Sequence, residues 1–480
     1  MAPRDPGNPA SPLVPKPLEE LRVYAPQIAL LESKKAIEIK YQVAFDPPLD
    51  SSDVTPLNWV QMARIIKNNY HKYDGFIILH GTDTMAYTSS ALAFILNNLS
   101  KPVVVTGSQL PISHERTDAV QNLINSIQLA GYRAFDIPRI PEVVLCFANK
   151  ILRGCRATKI SNDDFASFDS SNFPPLGVIG ERIKINQELV WSGPGEDEDF
   201  YINEEQATEI VQKVSILDIG LWPGFKASHL EAMVNLPMVR GVVLRTFGAG
   251  NTPNDPDFLK VIESAVHRPD PVVILNVTQC QKGMVKMGQY ASSSELLERG
   301  VVSGLDMTKE AALSKLYWTL ATQIGASITS QLQINQRGEQ SQNLYDLRYG
   351  AGGSEAEPIS EPFKEAQSPD SRLNRKKLNR AVVRLSGLCF AGLENGETAH
   401  IRIFMNKPAA NVSTPDDDPC CVVDCCCVWE GKPITLIQDI TEKTRAVIGR
   451  GDIILSVVPL NEVKMRFKGL YLALFDKADF

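Results

Sequence analysis

The chain has 480 residues, of which 44% are apolar and 22% charged, and its formal net charge is -7. At about 100–200 residues per domain, this length allows two to four domains with ordinary buried cores. The acidic balance leaves no basic stripe for nucleic acid, and no run approaches the roughly 18 apolar residues of a membrane helix, so a cytoplasmic protein is expected.

Met1 to Leu13 is proline-rich without an apolar centre and does not read as a signal peptide. Leu18 to Glu38 and a short extended piece, Ile39 to Val43, follow. Only Gly7 occurs before Gly75. From Pro56 the pattern sharpens. A helix over Pro56–Tyr70 precedes the apolar run Phe76–Leu79, bounded by Gly75 and Gly81. Met85–Leu99 reads as a helix, with apolar positions at 85, 92, 95, 96 and 99. Pro102–Thr106 is a strand, Asp118–Ala130 a helix and Glu142–Phe147 a strand. Continuous apolar strands alternating with amphipathic helices predict a parallel sheet covered on both faces.

The spacing places a first α/β domain over residues 1–185 and a polar, acidic linker over 186–213. A second, smaller α/β domain then spans 214–335. Its strands are predicted at 214–219, 241–246 and 272–277, and its helices at 227–236, 256–267 and 309–325. Residues 336–378 read as a flexible linker rich in Gly, Pro, Ser, Glu and Lys. Residues 379–480 are strand-like, with runs at 380–385, 400–404, 453–458 and 470–474, and are expected to form a small antiparallel sandwich without chemistry of its own.

Of nine cysteines, Cys146, Cys155, Cys280 and Cys389 lie in or beside apolar stretches and are expected as buried free thiols. Cys420, Cys421, Cys425, Cys426 and Cys427 lack the paired C-x2-C spacing of a zinc site. They are expected in an irregular thiol-rich loop, with no metal bound.

Ligands of open parallel sheets sit beyond the carboxyl ends of the strands, so polar residues there are the candidates for chemistry. His80-Gly81-Thr82-Asp83-Thr84 follows the run 76–79. Thr82 brings a hydroxyl and Asp83 an acceptor to that strand end, although Asp83 or Thr84 would serve equally as a helix cap. Thr106-Gly107-Ser108-Gln109-Leu110-Pro111 suits a tight turn. Lys159 follows the strand 142–147 and could activate a threonine hydroxyl, or be a solvated cation. Asp50-Ser51-Ser52-Asp53 could be a plain N-cap. Arg245 after a strand suits either a carboxylate ligand or a structural salt bridge.

Together these motifs resemble the type I, cytoplasmic L-asparaginases over about residues 13–337. The resemblance rests on Leu49–Asp53, the run His80-Gly81-Thr82-Asp83-Thr84-Met85-Ala86-Tyr87-Thr88, Val105–Gln109, Arg116–Asp118 and Thr158-Lys159. It continues in Leu244–Gly248, Asn276–Cys280 and Asp306–Thr308. It implies an asparaginase-like fold: a doubly wound parallel-sheet N-terminal α/β domain and a smaller α/β C-terminal domain, here with a β-rich extension. It implies hydrolysis of L-asparagine to aspartate and ammonia through an acyl-threonine, without metal or cofactor, by a homodimer or homotetramer. Thr82, Asp83 and Lys159 would be catalytic. Asp50, Ser51 and Ser52, with Thr82 and Asp83, would bind the substrate. Thr158, Arg245, Thr278, Gln279 and Cys280 match an allosteric asparagine site of some members. A glutaminase or a transfer-RNA amidotransferase subunit would use related motifs, and the tail disfavours the latter.

The chain departs from the family at its start. Members open with a strand and a T-G-G-T-I turn that presents a nucleophilic threonine, and no double-glycine turn occurs here before position 75. The expectation divides accordingly. The sequence is either a truncated gene model of a normal enzyme or a degenerate protein that binds asparagine or acts as a scaffold.

Overall fold

The structure, a computed structural model, describes residues 2–3, 13–14, 21–35, 37–191, 199–287, 291–322, 328–333 and 335–341. Beyond these it describes 359–363, 378–391, 393–394, 396–407, 410–415, 417–428, 434–440, 443–444, 453–460, 464–466 and 469–476. Most of the proline-rich lead, the centre of the acidic stretch at 192–198 and most of the expected linker after 341 lie outside the described residues. Two compact units emerge, residues 1–340 and 341–480.

In the first unit, β1 (Ala2–Pro3) pairs antiparallel with β2 (Leu13–Val14). Helices α1 (Leu21–Tyr24) and α2 (Gln27–Lys35) follow. Among the described residues, the extended piece at 39–43 pairs with no strand. Helix α3 (Pro56–Asn69) starts where sequence chemistry puts it. Pro56 has the fixed φ of a first turn, and Thr55 N–H donates to Asn58 Oδ1 at 2.7 Å. Strand β3 (Phe76–Leu79), α4 (Met85–Ile95), β4 (Val103–Thr106), α5 (Ala119–Ala130) and β5 (Val143–Phe147) realise the expected alternation. β3, β4 and β5 pair in parallel. The sheet then turns antiparallel through β6 (Lys150–Arg153), and the two-residue ladder β7 (Thr158–Lys159) with β8 (Phe168–Asp169) projects separately. Strands β9 (Gly177–Ile179) and β10 (Ile183–Ile185) finish the far side, giving the order β10-β9-β6-β5-β4-β3.

Helix α6 (Glu204–Lys213) occupies part of the segment read as linker. Its Ala207, Ile210 and Val211 share one helical face, a signal masked by the acidic residues around it. The second sheet contains β11 (Ser215–Gly220), β12 (Val239–Thr246), β13 (Val273–Thr278) and β14 (Val302–Ser303), all parallel and in that order. Helices α7 (Ala227–Val234) and α8 (Pro256–His267) cover one face around Leu230, Phe258 and Ile262. After α9 (Ala291–Glu298), helices α10 (Lys309–Thr322) and α11 (Ile328–Gln333) cover the other through Leu316, Leu320 and Leu332. Ala311 and Trp318 of α10 also enter the core of the first sheet beside α4, so α10 binds the two layers together.

The expected linker does not begin at 336. Glu339 and Gln340 are fully buried, Glu339 Oε1 lies 2.6 Å from Lys315 Nζ, and Arg337 donates to the Ala93 carbonyl. Buried partners on distant elements fix this short segment, which its polar composition conceals.

The second unit holds β15 (Ile359–Phe363), β16 (Leu378–Ala391), β17 (Thr398–Met405), β18 (Cys421–Val428), β19 (Ile434–Asp439), β20 (Ile453–Pro459), β21 (Lys464–Arg466) and β22 (Gly469–Asp476). One antiparallel sheet runs β15-β20-β17-β18, and the other is built around β16. Ala381, Val383 and Leu385 of β16 share a core with Ile401, Ile403, Val423 and Val457 of the other sheet, which is a sandwich. The thiol-rich segment is not an irregular loop. Cys421 to Cys427 lie on β18, alternating between its faces, with Cys427 buried and Cys426 exposed.

Candidate active site

The loop after β3 places Thr82 and Asp83 at a strand end. Lys159, 77 residues later, reaches it from β7. Lys159 Nζ donates to Thr82 Oγ1 at 2.9 Å and to Asp83 Oδ1 at 2.8 Å. The lysine is largely enclosed, with 19% of its side chain exposed, whereas Asp83 is 66% exposed. Thr84 stands at the N-cap of α4 but makes no capping bond; its hydroxyl donates to the Ser51 carbonyl at 2.6 Å. The helix-cap alternative therefore fails for both residues.

That bond also brings in the turn at 50–53. Asp50 Oδ1 accepts from Ser52 N–H and Ser52 Oγ, each at 2.9 Å, and these bonds hold its carboxyl below the usual range. Asp50 thus caps its own turn, as its spacing allowed. Gly81 packs against buried Ser51 so closely that a Cβ would lie 2.5 Å from Ser51 Oγ. Only glycine lets the turn approach the Thr82 strand end. Asp50, Ser51, Ser52, Thr82, Asp83 and Lys159 therefore share one locality.

Buried pairs fix the backbone leading to Lys159. In the turn 154–156, Arg156 donates to Asp306 Oδ2 and to the Gly338 carbonyl, both at 2.6 Å. Thr158 Oγ1 donates to Glu310 Oε1 at 2.9 Å. Glu310 is 3% exposed, and burial pushes its carboxyl upward. In the loop after β4, Asp118 accepts from the backbone N–H of Gln109 and Leu110.

The second group of candidates divides. Arg245, Thr278, Gln279 and Cys280 meet at the carboxyl ends of β12 and β13. Arg245 Nε donates to Asp218 Oδ1 at 2.6 Å, so its guanidinium already has a structural partner. Gln279 Nε2 spans the carbonyls of Leu221 and Arg245 at 2.7 and 2.9 Å. Thr278 Oγ1 bonds the Gly248 carbonyl, and Cys280 is exposed rather than buried as its apolar neighbours suggested. Thr158 sits with Glu310 instead. Tyr87 of α4 feels both groups: burial first, then Glu310 and Asp218, push its phenol far above the ordinary value. Glu310 and Asp218 had not stood out in the sequence, and Tyr87 only as part of the His80–Thr88 run. The available signal was an acidic residue in the first turn of α10, which usually means only helix-dipole compensation. Among the described residues no group of three or more His, Cys, Asp or Glu could hold a metal ion, and no helix is long and apolar enough to cross a membrane.

Residues 19–191 match the family of asparaginase N-terminal domains, and residues 213–330 match the glutaminase/asparaginase C-terminal domain. L-asparaginase 1 of Escherichia coli K12 is 41% identical over 300 residues, spanning 62% of this chain and 83% of that protein. The 60 kDa lysophospholipase of Mus musculus is 40% identical over 299 residues, 61% of this chain and 50% of that protein. The crystal structure of L-asparaginase I from Vibrio cholerae superposes with a TM-score of 0.55 at 39% identity, covering 62% of this chain and 85% of that one.

Proposed function

Because the chain belongs to the asparaginase family, we propose that it is an L-asparaginase-type amidohydrolase that converts L-asparagine to L-aspartate and ammonia. The observation that carries this is Lys159 Nζ, held between Thr82 Oγ1 and Asp83 Oδ1 at a parallel-strand end. In this reading Lys159, as the neutral amine, takes the Thr82 proton and returns it to the leaving amide nitrogen, which departs as ammonia. Asp83 holds the transient ammonium in line, and the Asp50–Ser52 turn receives the amino-acid head of the substrate. The amide carbon passes through an acyl-threonine that water then cleaves, with no metal or cofactor. The enzyme works in the cytoplasm as a homodimer or homotetramer, binding neither nucleic acid nor membrane. Thr158, Arg245, Thr278, Gln279 and Cys280 form an effector site. The β-rich residues 379–480 are dispensable for the chemistry.

The reading further holds that full activity needs a strand bearing a T-G-G-T-I turn, a run that residues 1–480 do not contain. The edge position of β3 supports it. Among the described residues this wholly apolar strand ends the sheet, its residues are only partly covered, and Leu79 is 42% exposed. An unprotected apolar edge invites another strand.

The test is ammonia release from asparagine by residues 1–480 and by the same chain with that strand and turn prepended. The extended chain should turn over, and the unextended one should be slower by about 10⁴-fold or more. Comparable rates would mean that Thr82 alone suffices, and this account of the extra strand would fail. Asparagine binding without turnover in either chain would favour a catalytically dead binding protein. In the extended chain, Lys159→Met should abolish turnover with little change in thermal midpoint.

A further inference from the structure

A hydrogen-bonded chain whose direction follows from its two ends holds the loop carrying Thr82. Trp59 Nε1 lies 3.1 Å from Thr88 Oγ1, Thr88 Oγ1 lies 2.8 Å from His80 Nε2, and His80 Nδ1 lies 2.7 Å from the Gly81 carbonyl oxygen. An indole N–H can only donate, so Thr88 accepts at that end. A carbonyl can only accept, so His80 Nδ1 carries a hydrogen. Burial holds the imidazole below its ordinary pKa, against a smaller upward pull from the Gly81 carbonyl, so near pH 7 the ring is neutral and has one ring hydrogen. Nε2 is then a bare acceptor, and the Thr88 hydroxyl must donate to it. Trp59 and Thr88, at 7% and 0% exposure, anchor the chain in the core on α3 and α4.

The Gly81 carbonyl at the end of this chain lies where the site's two halves join. Gly81 rests on Ser51 with no room for a Cβ, and the next residue is Thr82, whose hydroxyl meets Lys159. We propose that His80, as the neutral Nδ1–H tautomer, is a positioning residue that fixes the Gly81–Thr82 peptide and so sets the Thr82 hydroxyl against Lys159 and the Asp50–Ser52 turn. The bond at Nδ1 sets the peptide plane, and the bond at Nε2 sets the ring. The catalytic consequence rests on the amidase reading above; the tautomer does not.

The first arm of the test is nitrogen NMR on the full chain with ¹⁵N-labelled histidine, the His80 signals being identified by their loss in His80→Asn. A protonated Nδ1 with a bare Nε2 near neutral pH is expected. An Nε2-protonated or doubly protonated ring would overturn the proposal. The second arm is kinetic, in the protein that turns over asparagine. His80→Asn places an amide N–H near the Nδ1 position and keeps the bond to Gly81, so kcat should stay within a few-fold. His80→Gln places its amide near Nε2 and loses that bond. Its kcat should fall by about 10–100-fold while KM moves by only a few-fold, as for a small displacement of a reacting group. Equal kcat values for the two variants would overturn the proposal. Should the parent protein fail to turn over, the amidase reading falls while the nitrogen spectrum still decides the tautomer.

Discussion

Among the described residues, strands β3 and β11 each end the parallel part of a sheet in the same unit, and the two edges are written differently. β11 reads Ser-Ile-Leu-Asp-Ile-Gly, with the Asp218 carboxylate bound by Arg245 of the neighbouring strand. A charge on an edge discourages further pairing. β3 reads Phe-Ile-Ile-Leu, carries no charge, and leaves Leu79 42% exposed. One strand inward the contrast disappears: Val103–Val105 of β4 and Val242–Leu244 of β12 are all fully buried. Apolar composition shows that a strand belongs in a sheet's interior. Where such a strand stands at an edge, the mismatch marks a place where more sheet fits.

The largest effect should come from whatever closes the second sheet. Cutting the chain after Asn335 removes Glu339 from fully buried Lys315, on the helix that covers β12 and β13. Breaking such a pair should cost about 3–5 kcal/mol. Cutting after Ser341 should leave the urea midpoint of the first unit unchanged, and asparagine turnover of an active form within a few-fold. Equal losses at the two cuts would show that residues 336–341 do not belong to the fold.

Next comes the edge comparison itself. Leu244→Ala in β12 should cost about 2–5 kcal/mol in urea unfolding, and Leu79→Ala in β3 less than about 1 kcal/mol. With the extra strand prepended, the Leu79→Ala cost should rise towards the Leu244→Ala value. A large cost for Leu79→Ala in the unextended chain would mean that the β3 edge is already covered.

A smaller effect concerns acid. The His80 imidazole titrates below its ordinary value of 6.5 in the folded state, so between those values the unfolded chain binds more protons. Stability is therefore complete above that range and falls as pH drops from 6.5 towards the folded value. Asp50 acts in a lower window: its contribution is present above its ordinary value of 3.8 and is lost as pH falls from there through the depressed folded value. Thermal midpoints against pH should show the upper loss in the parent and not in His80→Asn. An identical slope in both would remove His80 from the account.

The smallest effect belongs to Arg245. Arg245→Ala removes one partly exposed ion pair, worth about 0–1 kcal/mol of stability. If the effector reading holds, an active form should show sigmoidal asparagine saturation, with coupling of about 1–3 kcal/mol lost in the variant. Hyperbolic saturation in both proteins would leave Arg245 as the structural partner of Asp218 alone.

The elements from α3 to β5 and the succession β11, α7, β12, α8, β13 and α10 were legible in the sequence because each depends on its own periodicity and turn residues, whereas the short strands β6 to β10 and β14 and helices α6 and α9 were not. Strand β3 and helix α8 match their expected spans residue for residue. The motif residues Thr82, Asp83 and Lys159 were legible as polar groups at strand ends. The sequence did not disclose that β3 would be an edge, because its apolar run looks the same in the middle of a sheet. Nor did it disclose that Gly338, Glu339 and Gln340 are buried, since Arg156 and Lys315, distant in sequence, supply partners for the first two. The direction of the Trp59–Thr88–His80–Gly81 chain lay beyond it as well. A histidine's tautomer is set by which atoms meet its two nitrogens, and here α3, α4 and the β3 loop bring those atoms together only in the folded protein.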